Sequence, residues 1–150
     1  MGNNLLGTDQ VTQIGIVVKD ILKTRAEWAK VLGCEEPPIT QTDGFDKGKT
    51  HFNGKPSQAT ARLCFFNVGQ LQIELIEPDG QASTWQNHLE EYGETVQHIA
   101  FKVPSMKEAR ANLNLAGHQT NQYGEYEGGR YAYVDSQKKL GVHIELLEND

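Results

Sequence analysis

The chain contains the same short segment twice, and this duplication limits the folds available to it. Residues 72–77 read Gln-Ile-Glu-Leu-Ile-Glu, and residues 143–148 read His-Ile-Glu-Leu-Leu-Glu. A second pair of related segments precedes these two, at residues 13–18 and 98–103. Each earlier segment leads into a pattern typical of an amphipathic helix that ends at a glycine. Because two units are too few for an open solenoid, the repeat predicts a duplicated domain with a shared core.

The predicted elements follow the same order in both units. The first unit, about residues 11–78, reads as a strand, a helix and two strands, and the second, about residues 96–148, repeats that order. Residues 34–60 are rich in Pro, Gly and Thr and predict a long binding or lid loop, which makes the first unit the longer one. Residues 121–129 predict a second loop, and a further short strand within the loop is the alternative. A helix over residues 83–92 connects the units without a low-complexity linker, which favours one domain over all 150 residues.

The charge balance excludes several classes of partner. The chain has 14 basic and 20 acidic residues, a net charge of −6 and no basic block, so nucleic acid and anionic membrane surfaces are unfavourable partners. No apolar run reaches the roughly 20 residues of a membrane span, and the first residues do not resemble a signal peptide. Two cysteines are too few for a disulfide framework. We therefore expect a cytoplasmic protein that acts on a small molecule.

Four side chains that can bind a metal ion occupy equivalent positions of the two units. Gln13 and His98 lie in the first strand of their units, and Glu74 and Glu145 lie in the last. Because side chains alternate along a strand, units packed around a pseudo-twofold axis would point all four into one cleft. One imidazole with amide and carboxylate oxygens suits Zn, Co, Ni, Mn or Mg, and differs from the ligand triad of oxygen-activating iron enzymes. The alternative is a duplicated packing pattern that binds no ion.

The segments that contain these residues resemble the vicinal oxygen chelate superfamily, over about residues 11–148. The similar segments are Gln13–Asp20, Ile73–Pro78, His98–Val103 and Gly141–Leu146. The superfamily includes glyoxalase I, methylmalonyl-CoA epimerase, bleomycin-binding proteins and extradiol dioxygenases, and the second and third segments look most like the epimerase branch. The resemblance implies an α+β fold in which two pseudo-symmetric βαβββ modules form one bowl-shaped mixed sheet around a metal cleft. It also implies a homodimer.

The resemblance assigns roles to the four side chains. It implies that Gln13, Glu74, His98 and Glu145 together hold one divalent metal ion, and that Glu145 is the catalytic base. The order Gln, Glu, His, Glu resembles human-type glyoxalase I, whereas epimerases usually have histidine at the position of Gln13. Residues 61–67 also lack the second carboxylate that the epimerase branch uses.

Three further residues are candidates for binding the substrate. His143 shares a strand face with Glu145, and strand order places Arg130 and Tyr133 near the mouth of the cleft. We expect a metal-dependent isomerase, epimerase or lyase that enolises a small carbonyl or thioester compound. Chemistry like that of methylmalonyl-CoA epimerase is the first expectation and a glyoxalase I-like lactoylglutathione lyase is the second. A metal-free protein that binds a small molecule is the alternative of a different class.

Overall fold

The computed structural model describes residues 3–150, which contain ten strands and five helices. The strands are β1 (Val11–Val17), β2 (Thr40–Gln41), β3 (His51–Phe52), β4 (Lys55–Pro56), β5 (Ala61–Val68), β6 (Leu71–Pro78), β7 (Val96–Lys102), β8 (Thr120–Tyr126), β9 (Gly129–Val134) and β10 (His143–Asn149). The helices are α1 (Ile21–Leu32), α2 (Phe45–Gly48), α3 (Thr84–Tyr92), α4 (Met106–Leu115) and α5 (Gln137–Leu140).

All ten strands belong to one mixed sheet, in the order β2-β5-β6-β1-β7-β10-β9-β8-β3-β4. β1 and β7 run antiparallel at its centre, and each pairs in parallel with the last strand of its own unit. The units β1-α1-β2-β5-β6 and β7-α4-β8-β9-β10 therefore have the same connectivity on either side of this central pair. The predicted α+β fold of two pseudo-symmetric modules in one curled sheet is confirmed. The exact module limits, about 11–78 and 96–148, stay a prediction.

The helices begin at the capping residues that the sequence indicates. The side chain of Asp20 accepts a hydrogen bond from the backbone N–H of Lys23 at the start of α1, and Ser105 accepts one from Glu108 at the start of α4. Gly33 ends α1 in the left-handed conformation, with φ of 66°, which glycine adopts without steric cost. α1 and α4 cover the convex face of the sheet with separate apolar cores. The concave face is left for α3 and for the polar side chains described below.

Residues 121–129 are mostly strand β8 and not a loop, so the alternative of a further strand is the one that the structure contains. β8 pairs with β9 along its whole length, with Tyr123 opposite Ala132. Its glycine, which indicates a loop in the sequence, is required by packing across the strands. A Cβ at Gly124 would lie 2.5 Å from a ring carbon of Tyr131, so only glycine leaves room for this ring.

The long segment at residues 34–60 is only partly irregular, since it contains β2, α2 and the hairpin β3-β4. β2 pairs with β5 near one end of the sheet, whereas β3 pairs with β8 at the other end. The segment therefore connects the two ends of the curled sheet. Cys34 is exposed, Cys64 is buried, and both are free thiols. Within residues 3–150, no helix is both long and apolar enough to cross a membrane.

Candidate metal centre and active site

The four predicted ligands lie on the four central strands and point to the concave side of the sheet. Gln13 is on β1, Glu74 on β6, His98 on β7 and Glu145 on β10. Strand pairing places Gly15 beside both Glu74 and His98, which brings the two units together at this point. All four side chains are buried, with at most 6% of any residue exposed. Burial of this many polar groups in one place is costly unless they bind one another or an ion.

The ligand atoms converge on a single point. The Nε2 atom of His98 lies 3.0 Å from Oε1 of Gln13, 3.2 Å from Oε1 of Glu74 and 3.3 Å from Oε1 of Glu145. The candidate ligand atoms of the two glutamates and the histidine all lie within 4.8 Å of one another. The structure therefore brings these four side chains together, and their role as metal ligands stays a prediction.

The orientation of His98 leaves its inner nitrogen free to bind a cation. Its Nδ1 atom lies 2.7 Å from Oε1 of Gln97, which can only accept a hydrogen bond, so Nδ1 carries the proton. Nε2 then presents a lone pair to the centre. Gln97 reaches this position because it is the extra residue of a β-bulge: His98 pairs with Gly15, and Val96 pairs with the next residue, Ile16. A bulge interrupts the alternation of side chains, so two consecutive residues serve one site.

We predict that Gln97→Leu weakens divalent metal binding by about 10- to 100-fold, the usual range for a residue that orients a metal-binding histidine. The substitution removes the acceptor for Nδ1–H and frees the imidazole to adopt the wrong tautomer. Isothermal titration with Zn would measure the change. Gln97→Glu, which keeps an acceptor at the same place, should restore most of the affinity, and an unchanged affinity in Gln97→Leu would contradict this role.

The amide of Gln13 can face the centre in two ways. With its oxygen inward, its nitrogen donates to Oε1 of Gln72 at 3.3 Å, and the Gln72 amide donates in turn to Asn67. With its nitrogen inward, it donates to Glu74 at 3.2 Å and to Glu145 at 3.0 Å. The inward nitrogen satisfies the carboxylates without an ion, and the inward oxygen provides a fourth ligand for a cation. The same residue therefore suits both the metal-free and the metal-bound protein.

Burial changes the protonation of the centre. Desolvation raises the pKa of Glu74 to about 8. It also raises the pKa of Glu145 to about 7, an increase that His98 opposes and that the charge of Glu74 adds to. Desolvation also lowers the pKa of His98, against the attraction of Glu145. These shifts in pKa are those of a site that has an excess of hydrogen-bond acceptors and no compensating positive charge. A divalent ion would supply that charge, so the donor set fits one.

We predict that Glu74 makes the metal-free protein less stable as pH rises. Between pH 4.5 and pH 8 the folded protein holds a proton on Glu74 that the unfolded chain has released, so the contribution of this residue to the free energy of unfolding falls with rising pH. Glu145 acts in the same direction, whereas the lowered pKa values of His88, His98 and His143 act in the opposite one. Calorimetry of chelator-treated protein should therefore show that, from pH 5 to pH 8, the wild-type protein loses about 3 kcal/mol more stability than Glu74→Gln, or about 6–12 °C in Tm. The same dependence of Tm on pH in both proteins would contradict the prediction.

A cavity of about 420 Å³ opens above the four ligands. Gln13, Glu74 and Glu145 form its base, and residues from both ends of the sheet form its walls. Trp85 of α3 closes one side, where its indole N–H donates to the hydroxyl of Tyr133 at 2.9 Å. The cavity is large enough for a small molecule, and its depth keeps the centre away from bulk solvent.

The three predicted substrate-binding residues have different locations. Tyr133 lines the cavity, and its ring centroid lies 5.2 Å from that of His98. His143 is buried on the same side of the sheet, where its ring lies near that of His88 of α3, and it does not line the cavity.

The expected place of Arg130 is wrong. Its guanidinium forms ion pairs with Glu148 and Asp150, in a groove beside α4 on the convex side. Arg130 and Tyr133 lie an odd number of residues apart on one strand, so their side chains must point to opposite faces. The same alternation places Tyr131 inside the cavity together with Tyr133.

Several residues of the site are not evident from the repeat. Gln97 depends on a bulge, and Gly15 is needed for its lack of a side chain: a Cβ there would lie 2.0 Å from Cε1 of His98. Asp43 reaches the cavity from a segment read as a loop in the sequence. The glycine between two apolar residues in β1 was the only pattern that could have indicated any of these, since an interior glycine in a strand marks a close approach.

The fold and the centre together define a class of duplicated α+β proteins in which a curled mixed sheet holds a buried Gln-Glu-His-Glu set. Residues 12–134 match the family model described as Glyoxalase/Bleomycin resistance protein/Dioxygenase superfamily. The chain therefore belongs to this superfamily, and the resemblance seen in the sequence is confirmed. No curated protein matches the chain in sequence.

Solved structures with the same fold include methylmalonyl-CoA epimerases. The epimerase of Mycobacterium tuberculosis superposes with a TM-score of 0.66 at 21% identity, over 100% of this chain and 93% of that one. A hypothetical protein of Bacillus halodurans gives 0.65 at 21% identity, over 94% of each chain. A Streptomyces coelicolor epimerase in complex with 2-nitronate-propionyl-CoA gives 0.63 at 19% identity, over 93% of this chain and 96% of that one. At these identities the similarity shows a shared fold.

Proposed function

We propose that this protein is a divalent-metal-dependent isomerase or epimerase, which removes and returns a proton next to a carbonyl group of a small substrate. One observation carries this proposal: four lone-pair donors converge, buried, at the base of a cavity large enough for a substrate. A centre used only for packing would not need an open cavity above it. A metal site on the surface would not need buried ligands.

The residues of the centre would divide the chemistry among them. Gln13, Glu74, His98 and Glu145 would hold the ion, which would stabilise negative charge on a substrate oxygen as a Lewis acid. Gln97 fixes the tautomer of His98 by accepting its Nδ1–H. With the ion bound, the Gln72 amide would accept from Gln13 and so hold the Gln13 oxygen toward the centre.

Glu145 is the proposed base. Its carboxylate is at the base of the cavity, where a substrate bound at the centre would present its acidic C–H. Its Oε1 atom lies 3.3 Å from Nε2 of His98, and the carboxylate would take a proton from the substrate and return it. Tyr133 and Trp85, joined by a hydrogen bond and almost fully buried, exclude water from this side.

Two reactions fit this scheme, and different observations favour them. The similar solved structures include methylmalonyl-CoA epimerases, which supports epimerisation next to a thioester. The ligand order Gln, Glu, His, Glu resembles glyoxalase I, which supports isomerisation of a hemithioacetal, the lactoylglutathione lyase reaction. In both, one proton leaves a carbon beside an oxygen-bearing carbon. Isomerisation returns it to the neighbouring carbon, which Glu145 alone could do. Epimerisation needs a second group to return a proton to the opposite face of the same carbon, and Glu74, which also lines the cavity, is the candidate. The homodimer implied by the resemblance stays a prediction.

The test is exchange of substrate C–H protons in D₂O, followed by NMR, with protein loaded in turn with Zn, Co, Ni, Mn and Mg. The compounds are methylmalonyl-CoA, the hemithioacetal of methylglyoxal and glutathione, and the uncharged hydroxyketone acetoin. We expect at least one compound to exchange, only with metal present, and at least about 100 times more slowly in metal-saturated Glu145→Gln. If metal binds and none of the compounds exchanges, the catalytic proposal fails and a role in binding a small molecule replaces it.

A further inference from the structure

Two tyrosines of β9, Tyr131 and Tyr133, line the cavity, but their hydroxyl groups have different partners. Tyr131 accepts a hydrogen bond from Nε2 of Gln122 at 3.1 Å, and Oε1 of Gln122 accepts in turn from the backbone N–H of Thr84 at 2.8 Å. Burial raises the pKa of Tyr131, whereas hydrogen bonds with Gln122 and Thr50 lower it. Protein groups on two sides therefore hold the hydroxyl of Tyr131, which belongs to the wall of the cavity.

The hydroxyl of Tyr133 accepts from a group that can only donate. Nε1 of Trp85 lies 2.9 Å from this oxygen, and an indole N–H has no lone pair with which to accept. The proton of the Tyr133 hydroxyl must therefore point away from Trp85. Burial, together with the charges of Glu145 and Glu74, raises the pKa of Tyr133 well above its ordinary value, so the hydroxyl keeps this proton. Tyr133 is thus a hydrogen-bond donor whose direction depends on Trp85.

The hydroxyl of Tyr133 points to the metal centre. Tyr133 and Glu145 are paired across β9 and β10, so their side chains lie side by side on the concave face. Burial raises the pKa of Glu145, and a hydrogen bond from Tyr133 is one of the contacts that lower it, which requires the hydroxyl to reach the carboxylate. The tyrosine ring is fixed between neighbours, with its centroid 5.2 Å from that of His98 and 6.1 Å from that of Trp85. The O–H is therefore held where the substrate and the proposed base would meet.

We propose that Tyr133 is a catalytic residue whose hydroxyl donates a hydrogen bond to the substrate oxygen on which negative charge forms, and that Trp85 is a positioning residue that orients this hydroxyl. The inference rests on the proposed function and adds a donor to it. When Glu145 takes a proton from carbon, the electron pair of the C–H bond forms a carbon–carbon double bond, and the carbonyl π pair moves to the oxygen. The charge thereby leaves the carboxylate, and the O–H beside it can donate to the substrate oxygen instead. Return of the proton to carbon restores the carbonyl group.

Acetohydroxamate tests this donor without a reaction. It binds metal ions through two oxygens and is an anion when bound, so it brings negatively charged oxygen to the centre. Calorimetry with Zn-saturated protein would measure its affinity. We expect Tyr133→Phe, which keeps the ring contacts and removes the hydroxyl, to bind it at least about tenfold more weakly than the wild-type protein, the usual effect of losing a hydrogen bond to a charged group. Tyr131→Phe removes a hydroxyl from the same cavity, but one held by Gln122, and should change the affinity by less than about threefold.

A double-mutant cycle separates the positioning role of Trp85 from its packing. Trp85→Phe should weaken the binding of acetohydroxamate by about three- to tenfold when Tyr133 is present, and should have almost no effect in Tyr133→Phe, because the indole N–H acts only through the hydroxyl. Equal losses in the two backgrounds would overturn the positioning role.

The affinity of Tyr133→Phe decides the inference as a whole. If this variant binds acetohydroxamate as tightly as the wild-type protein, the inference is overturned and the proposed function remains intact. If the Zn-saturated wild-type protein does not bind acetohydroxamate, the ion has no position open toward the cavity, and the inference and the proposed function both fail.

Discussion

Purified protein is expected to contain about one divalent metal ion per chain, and His98→Ala and Glu145→Ala are expected to contain almost none. Each substitution removes one of four donors from a buried point where no other side chain can replace it. Loss of a residue that only orients a ligand costs about 10- to 100-fold in metal affinity, so loss of a ligand should cost more than about 100-fold. Mass spectrometry of metals in the native protein measures the content directly.

The control is Glu148→Ala, on the same strand as Glu145. Glu148 forms an ion pair with Arg130 on the convex side, so its loss should affect neither the centre nor the metal content. Circular dichroism would show whether the variants remain folded. If the wild-type protein binds no ion even after addition of Zn, Co, Ni and Mn salts, the four side chains form a hydrogen-bonded packing cluster and the catalytic proposal has no basis.

The position of the centre could be predicted because it depends on the repeat. Equivalent residues of the two units lie on equivalent strands, and the pseudo-twofold relation between the units turns all of them toward one point. This argument needs only alternation along a strand and the pairing of the units, both of which the duplicated segments indicate. Gln13 and His98 could therefore be matched without knowledge of the loops. The order of strands and helices in the two units could be predicted for the same reason.

The rest of the site could not be predicted because it depends on departures from the repeat. Gln97 lies beside His98 only because a bulge interrupts the alternation, and the sequence contains no pattern that specifies a bulge there. Asp43 reaches the cavity through an insertion that has no counterpart in the second unit. His143 follows the alternation rule, but α3 covers it, and the docking of a connecting helix depends on tertiary packing. Arg130 is different, because the alternation of side chains along β9 was sufficient to show that it points away from the cavity.

Gly15→Ala is expected to abolish tight metal binding, although glycine contributes no ligand. A Cβ at this position would lie 2.0 Å from Cε1, 2.4 Å from Nδ1 and 2.5 Å from Nε2 of His98. Because non-bonded carbon atoms rarely approach within about 3.5 Å, the imidazole must move by more than about 1 Å. Metal sites tolerate displacements of about 0.5 Å, so affinity for Zn should fall at least about 100-fold. Stability should also fall by about 1–3 kcal/mol, the usual cost of overpacking.

A matched variant separates loss of the site from general strain. Gly124→Ala places a methyl group 2.5 Å from the ring of Tyr131, a similar steric conflict at a residue that is not a ligand, so it should lose stability and still bind metal. A double variant identifies the conflicting partner. In a background that already contains His98→Ala, the Gly15→Ala change should cost little stability, because the ring that it displaces is gone. If Gly15→Ala binds Zn as tightly as the wild-type protein, the imidazole of His98 can move aside without loss of metal affinity. The close contact between this ring and β1 would then not determine the geometry of the site.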